Sequence, residues 1–183
     1  MACGALREAE LRWFEETKSG SNGVRKEQRA WLNLTDTITL APNPTNKCFG
    51  CGGANDLGMK LTFVQDNVNR RIVGKFILGE AYQGGGGMGH GGIIATLLDE
   101  VMGKVCRFRE VRAVTAELTV KYLKPVKVDE EIVVEGFETE VKGRNLFLVG
   151  EIRNGAGEVL ARGTGRFVVI GQKEKTTAEV SSS

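Results

Sequence analysis

Residues 90–106 read HGGIIATLLDEVMGKVC. The apolar positions 93, 94, 97, 98, 101, 102 and 105 recur at helical spacing, so the stretch is predicted to form a helix over 91–106. At about 100° per residue, Leu98, Val101 and Val105 fall within roughly 40° of Ile94. These four make the core stripe. Asp99 lies near 140°, off that stripe, among Ala95, Gly92, Gly103 and Cys106. All of these neighbours are small, so a large group can approach the helix beside a single carboxylate. A carboxylate partly removed from water has a raised pKa, which suits a general base. Glu100 lies near 240° and is expected on the surface.

The start of this helix is the second chemical feature. Gly91 and Gly92 carry no Cβ, so their backbone N–H groups are expected to be open. Such groups, helped by the helix dipole, can polarise a carbonyl or hold an oxyanion. Gly91 and Asp99 are roughly 12 Å apart along the axis. One atom of a substrate cannot touch both within one chain, so the site must be extended or completed by a second subunit.

Outward from the helix, the residues read as strands. MKLTFV (59–64) and RIVGKFIL (71–78) suggest a hairpin. Val114, Ala116, Leu118, Val120 and Tyr122 alternate with Thr115, Glu117, Thr119 and Lys121, the pattern of a half-buried strand. Further strands are expected at 130–141, 145–153 and 158–169, with turns at Lys142-Gly143 and Asn154-Gly155. The order strand, strand, helix, four strands implies α+β, with one helix covering one face of a largely antiparallel sheet. Residues 1–40 are expected as a helical arm, 41–171 as the domain, and 172–183 as a disordered tail.

Composition narrows the function. The chain has 183 residues, net charge +2 and 25 glycines, about twice the usual share of glycine. Nothing in this balance calls for nucleic acid or an anionic membrane. No apolar run is long enough for a spanning helix. The first twenty residues lack a signal-peptide core and carry four glutamates, so the expected location is the cytoplasm. The only histidine is His90, which rules out a multi-histidine metal site within one chain. Its ring is expected to brace the loop before the helix. Cys3, Cys48, Cys51 and Cys106 read as free thiols. Cys48 and Cys51 form a CxxC, but no second pair exists for a zinc ribbon, and His90 would make only three ligands. Paired small residues in a tight loop are the preferred reading, with no metal expected.

The stretch from His90 to Gly103 closely resembles the central-helix signature of hotdog-fold acyl-CoA thioesterases, nearest to the phenylacetate-pathway-like thioesterase superfamily. The upstream Cys-Phe-Gly-Cys-Gly and the downstream Leu-Thr-Val-Lys-Tyr-Leu-Lys-Pro-Val also resemble that group. The resemblance spans about residues 45–170. It implies an antiparallel sheet wrapped around the central helix, and a homodimer or dimer of dimers with sites at the interface. It also implies acyl-CoA as substrate, with no cofactor beyond the coenzyme A of that substrate.

By the same resemblance, Asp99 is the general base or nucleophile and Gly91 the oxyanion donor. Thr115 matches a hydroxyl that orients the attacking water. The sequence departs from the family six residues before His90. An Asn or Gln is frequent there, whereas this chain has Gly84, with Gln83 one residue earlier. Gln83 is nominated as the side-chain donor, carried inward by the glycine run 84–87. Lys124, Lys127, Lys142, Arg144 and Arg166 sit at strand ends, and the segments 122–127 and 142–146 match coenzyme A contacts in the family. Two alternatives stay open: an acyl-CoA-binding protein without catalysis, and a hydratase, which would need an Asp/His dyad.

Overall fold

The computed structural model describes residues 36–173. Seven strands form one antiparallel sheet: β1 (Thr37–Leu40), β2 (Phe63–Asp66), β3 (Arg71–Ile77), β4 (Val111–Tyr122), β5 (Glu131–Lys142), β6 (Asn145–Asn154) and β7 (Val159–Gln172). Their spatial order is β1-β2-β3-β5-β6-β7-β4. Helix α1 (Gly91–Val105) packs on one face of the sheet. Its buried residues Ile94, Leu97, Leu98, Val101, Met102 and Val105 join Phe63, Ile72, Leu146, Leu148, Ile152 and Phe167 in the core.

Glycine lets the helix lie close to the sheet. Gly136, Gly150 and Gly163 stand side by side across β5, β6 and β7. A Cβ at Gly136 would come within 3.0 Å of the Val101 carbonyl oxygen, and one at Gly150 within 3.1 Å of Leu98. Part of the glycine surplus thus forms the groove that seats α1.

The elements follow the expected order, with local differences. Thr37–Leu40 is a strand paired with β2, so the sheet begins inside the segment read as a helical arm. The rest of that arm, 1–35, lies outside the described residues, as does the tail from 174. The strand expected at 59–64 starts only at Phe63. The reason is local: the N–H groups of Met59 and Leu61 donate to the Phe49 and Gly50 carbonyls, and Lys60 has φ 53°. That segment runs along the CxxC loop instead of the sheet. Helix α1 ends at Val105 and continues as a 3₁₀ turn, Cys106–Arg109, closed by Glu110 in a left-handed conformation.

The largest departure is in β4. Thr115 pairs with Phe167, but Glu117 pairs with Arg166, so Ala116 is the extra residue of a β-bulge. The bulge reverses the alternation. Val111 and Ala113 pack toward the core before it, and Leu118 and Val120 after it, while Val114 is 49% exposed. One inserted residue thus turns Thr115 toward the helix, although strict alternation groups it with Glu117, Thr119 and Lys121.

Candidate active site

The first turn of α1 is built by His90. Its Nδ1 accepts from the Gly92 N–H at 3.0 Å, capping the helix. This is the bracing role expected of the ring, and it leaves the Gly92 N–H engaged, not open as the sequence suggested. A Cβ at position 92 would sit 3.1 Å from that nitrogen, so any other residue there would push the capping ring aside by a few tenths of an ångström. Among the described residues nothing accepts from the Gly91 N–H. The Gly91 carbonyl accepts from Tyr122 Oη at 2.9 Å, which ties the end of β4 to the helix start. Periodicity placed Tyr122 on a strand but offered no sign of this contact.

The glycine run is a tight turn. Gly86 and Gly87 have φ of 62° and 76°, which glycine adopts readily. The Gly84 N–H donates to the Met88 carbonyl, and Gln83 pairs with Gly89. The turn is strapped to the β4–β5 connection: Gly89 donates to the Val126 carbonyl, Val128 donates to that of Gly87, and Met88 pairs with Lys127. Gln83 is therefore beside the helix start through its backbone, with its side chain exposed. A Cβ at Gly84, not Gln83, would face His90, at 3.3 Å from its Cα. Among the described residues no hydrogen bond is formed by the Gln83 side chain, and its backbone lies next to the helix start.

Asp99 lies two turns along α1, half-buried. Thr115 Oγ1 donates to Asp99 Oδ1 at 2.7 Å. Burial pushes the Asp99 carboxyl above the usual aspartate range; the Thr115 hydrogen bond opposes this, and the nearby Glu100 charge adds to it. Gly92 and Gly103 on the same strip are exposed and Ala95 is half-buried, so the approach to the carboxylate is open. Cys106 departs from the strip: it is buried, and burial raises its thiol to about 11.

Glu100 is not the surface residue expected. It is part-buried against the CxxC loop, where Cys48 Sγ donates to its Oε1 at 3.1 Å. Lys104 Nζ donates to Cys51 Sγ at 2.8 Å and lies 3.9 Å from Glu100 Oε2. The Cys51 thiol is pushed up to about 12, first by burial and then by its hydrogen bond to Glu100. The helical wheel located this flank of α1 correctly, but a wheel carries no information about a loop that folds over it.

The five basic residues separate into two groups. Lys124 and Lys127 lie at the Gly91 end of the fold, and Lys127 is tied to the glycine turn. Lys142, Arg144 and Arg166 lie at the other end, near Asn145 and the level of Thr115. Lys124 pairs with Glu158, Lys127 with Glu130, Lys142 with Glu140 and Arg166 with Glu117. Arg144 is exposed, and no ion pair involves it among the described residues. Within one chain the candidate residues fall into two groups. Gly91, Tyr122 and Lys127 form one, Asp99, Thr115 and Arg166 the other.

Comparison with known proteins bears on the fold and on the family resemblance. Residues 86–161 match the family model of the thioesterase superfamily, a stretch that contains Gly91, Asp99 and Thr115. Acyl-coenzyme A thioesterase THEM4 of Mus musculus is 36% identical over 92 residues, 50% of this chain and 40% of that protein. The Xenopus laevis protein of the same name is 29% identical over 144 residues, 78% of this chain and 65% of its own. The chain thus spans about 40% of the length of the first of these relatives. Among solved structures, the thioesterase superfamily protein RHA08564 has a TM-score of 0.62 at 23% identity, covering 88% of this chain and 80% of that one. The smu.793 protein of Streptococcus mutans UA159, bound to acetyl CoA, has a TM-score of 0.55 at 22% identity, covering 57% and 84%. The fold is the hotdog fold, and the resemblance read from the helix and its flanks holds.

Proposed function

We propose that this hotdog domain hydrolyses an acyl-CoA thioester to a free carboxylic acid and coenzyme A, at sites shared between two copies of the chain. The observation that carries the reading is the Thr115–Asp99 hydrogen bond beside an open strip of small residues. A carboxylate held in one orientation and partly removed from water takes a proton from water at an energetic cost that hydrolysis can use. The water oxygen bonds to the thioester carbon, and the carbonyl oxygen becomes an oxyanion facing the Gly91 N–H. The C–S bond then breaks, and the proton held on Asp99 passes to the coenzyme A sulfur. Direct attack by Asp99, giving an anhydride that water opens, uses the same atoms. Two pneumococcal neighbours carry an aspartate-to-alanine and a threonine-to-alanine substitution sixteen residues apart, the spacing of Asp99 and Thr115.

The separation of the half-sites supports the dimer. Within a chain, Gly91 and Asp99 stay roughly 12 Å apart. Strand β4 is the edge of the sheet, paired only with β7 among the described residues. An unpaired twelve-residue edge is a ready surface for a second copy. Two β4 strands related by a two-fold axis run antiparallel, which sets the Tyr122 end of one against the Thr115 end of the other. Gly91 of one copy then faces Asp99 of its partner. The thiols support a reducing location such as the cytoplasm. Among the described residues, no helix is long and apolar enough to cross a membrane.

A second reading, acyl-CoA binding without hydrolysis, is favoured by one observation: the Gln83 side chain, the nominated second donor, is exposed. A panel of aromatic, short-chain and long-chain acyl-CoA substrates, followed by release of free thiol, separates the two. Turnover of any class supports the hydrolase. Tight acyl-CoA binding with no thiol release supports the binding protein.

A further inference from the structure

The cluster on the far flank of α1 has the composition of a metal site and nearly the spacing of one. The sulfurs of Cys48 and Cys51 and a carboxylate oxygen of Glu100 all lie within 4.8 Å of one another. Two soft sulfurs and one oxygen suit zinc, whose tetrahedral bonds of about 2.0–2.3 Å place neighbouring ligand atoms about 3.7 Å apart. Small side-chain adjustments bring the three into that range.

The loop is wound to present these atoms. The Cys48 N–H donates to Asn46 Oδ1 at 2.7 Å, and the Gly52 N–H to the Cys48 carbonyl at 2.9 Å. A Cβ at Gly52 would meet the Cys48 backbone nitrogen at 2.4 Å, so only glycine closes this turn. A Cβ at Gly50 would meet Glu100 at 2.5 Å, so glycine there also lets the carboxylate reach the thiols. A cation is already drawn to the spot: the Lys104 ammonium lies 2.8 Å from Cys51 Sγ and 3.9 Å from Glu100.

We propose that Cys48, Cys51 and Glu100 bind one zinc ion, which fastens the 46–54 loop to the middle of α1. On binding, the two thiols release two protons and form two S–Zn bonds, Glu100 supplies an oxygen, and water completes the tetrahedron. Lys104 stays outside the coordination sphere as a hydrogen-bond donor to the Cys51 sulfur. The site is separate from the Asp99 strip, and the assignment does not depend on thioester hydrolysis.

The test is made on the full chain, reduced with a phosphine and freed of metal, by titration with Co²⁺ as a zinc surrogate. The expected result is a thiolate-to-cobalt charge-transfer band with tetrahedral d–d bands, saturating at one ion per chain and abolished by one equivalent of zinc. The Cys48→Ser, Cys51→Ser double variant should show no such band. Loss of an outer contact alone weakens many metal sites by about 10–100-fold, so Glu100→Gln should cost at least about tenfold in affinity. A reduced, folded wild-type protein that gives no charge-transfer band overturns the proposal. So does a Glu100→Gln protein that binds as tightly as wild type, or a pair that forms a disulfide and takes no cobalt after reduction.

Discussion

At Asp99 two effects oppose each other. Burial raises the carboxyl pKa, and the hydrogen bond from Thr115 holds it down. In the proposed role the carboxylate must be ionised to accept a proton. The acid limb of kcat/KM should therefore lie above the ordinary aspartate value of 3.8. Thr115→Val removes the opposing hydrogen bond and should move that limb to still higher pH, which a pH–rate profile measures directly. Asp99→Asn should lower kcat by about 10²–10⁴. Stability should change in the other direction. A carboxyl whose pKa is raised by folding contributes stability that is fully present below the unfolded pKa and is lost as pH rises through the folded pKa. Near neutral pH the ionised Asp99 is a burden, so Asp99→Asn should melt higher than wild type there. The two melting temperatures should converge as pH falls below the ordinary aspartate range. The Asp99 environment was legible because its helical neighbours are all small. The Glu100 environment was not, because its contacts come from a loop about fifty residues earlier.

Among the elements, the bulge at Ala116 and the glycine row across β5, β6 and β7 do the positioning. Helix α1, the β5–β6 hairpin and the succession of elements along the chain from β2 onward were readable from periodicity and turn residues, since those signals are local. The bulge was not. An extra residue leaves the composition of β4 unchanged and reveals itself only through its register against β7. Thr115 was therefore named through the family resemblance, while its own strand pattern pointed it outward. The glycine row was visible as a surplus but not as a row, because its three members come from three strands. Its role is testable. Gly136→Ala places a methyl about 3.0 Å from the Val101 carbonyl, where backbone on both sides must yield. Overpacking of this kind costs typically about 1–3 kcal/mol, so the denaturant midpoint should fall with no change in slope. An unchanged midpoint would mean that α1 shifts freely over the sheet.

For the whole molecule, the proposed active site consists of two halves that one chain keeps apart. The basic residues divide in the same way, with Lys127 at the Gly91 end and Arg144 near the Thr115 end. If both contact the phosphates of coenzyme A, changing both to Ala should raise KM for acyl-CoA. Thioesters that lack the nucleotide should be little affected. Equal losses on both substrate types would leave these residues as solvated charges at the strand ends.

The shared site can be tested by complementation between two defective chains. Gly91 is the first residue of α1, where proline is well tolerated, and its N–H has no partner among the described residues. Gly91→Pro therefore removes the oxyanion donor while keeping the helix, and Asp99→Asn removes the base. Each homodimer has both of its sites broken. In a mixed dimer, one site combines the intact Gly91 of the Asp99→Asn chain with the intact Asp99 of the Gly91→Pro chain. Equal amounts of the two, unfolded and refolded together, should recover roughly a quarter of wild-type turnover, since half of randomly formed two-fold dimers are mixed and each has one whole site. Turnover no greater than the sum of the two separate variants would contradict a site shared between chains.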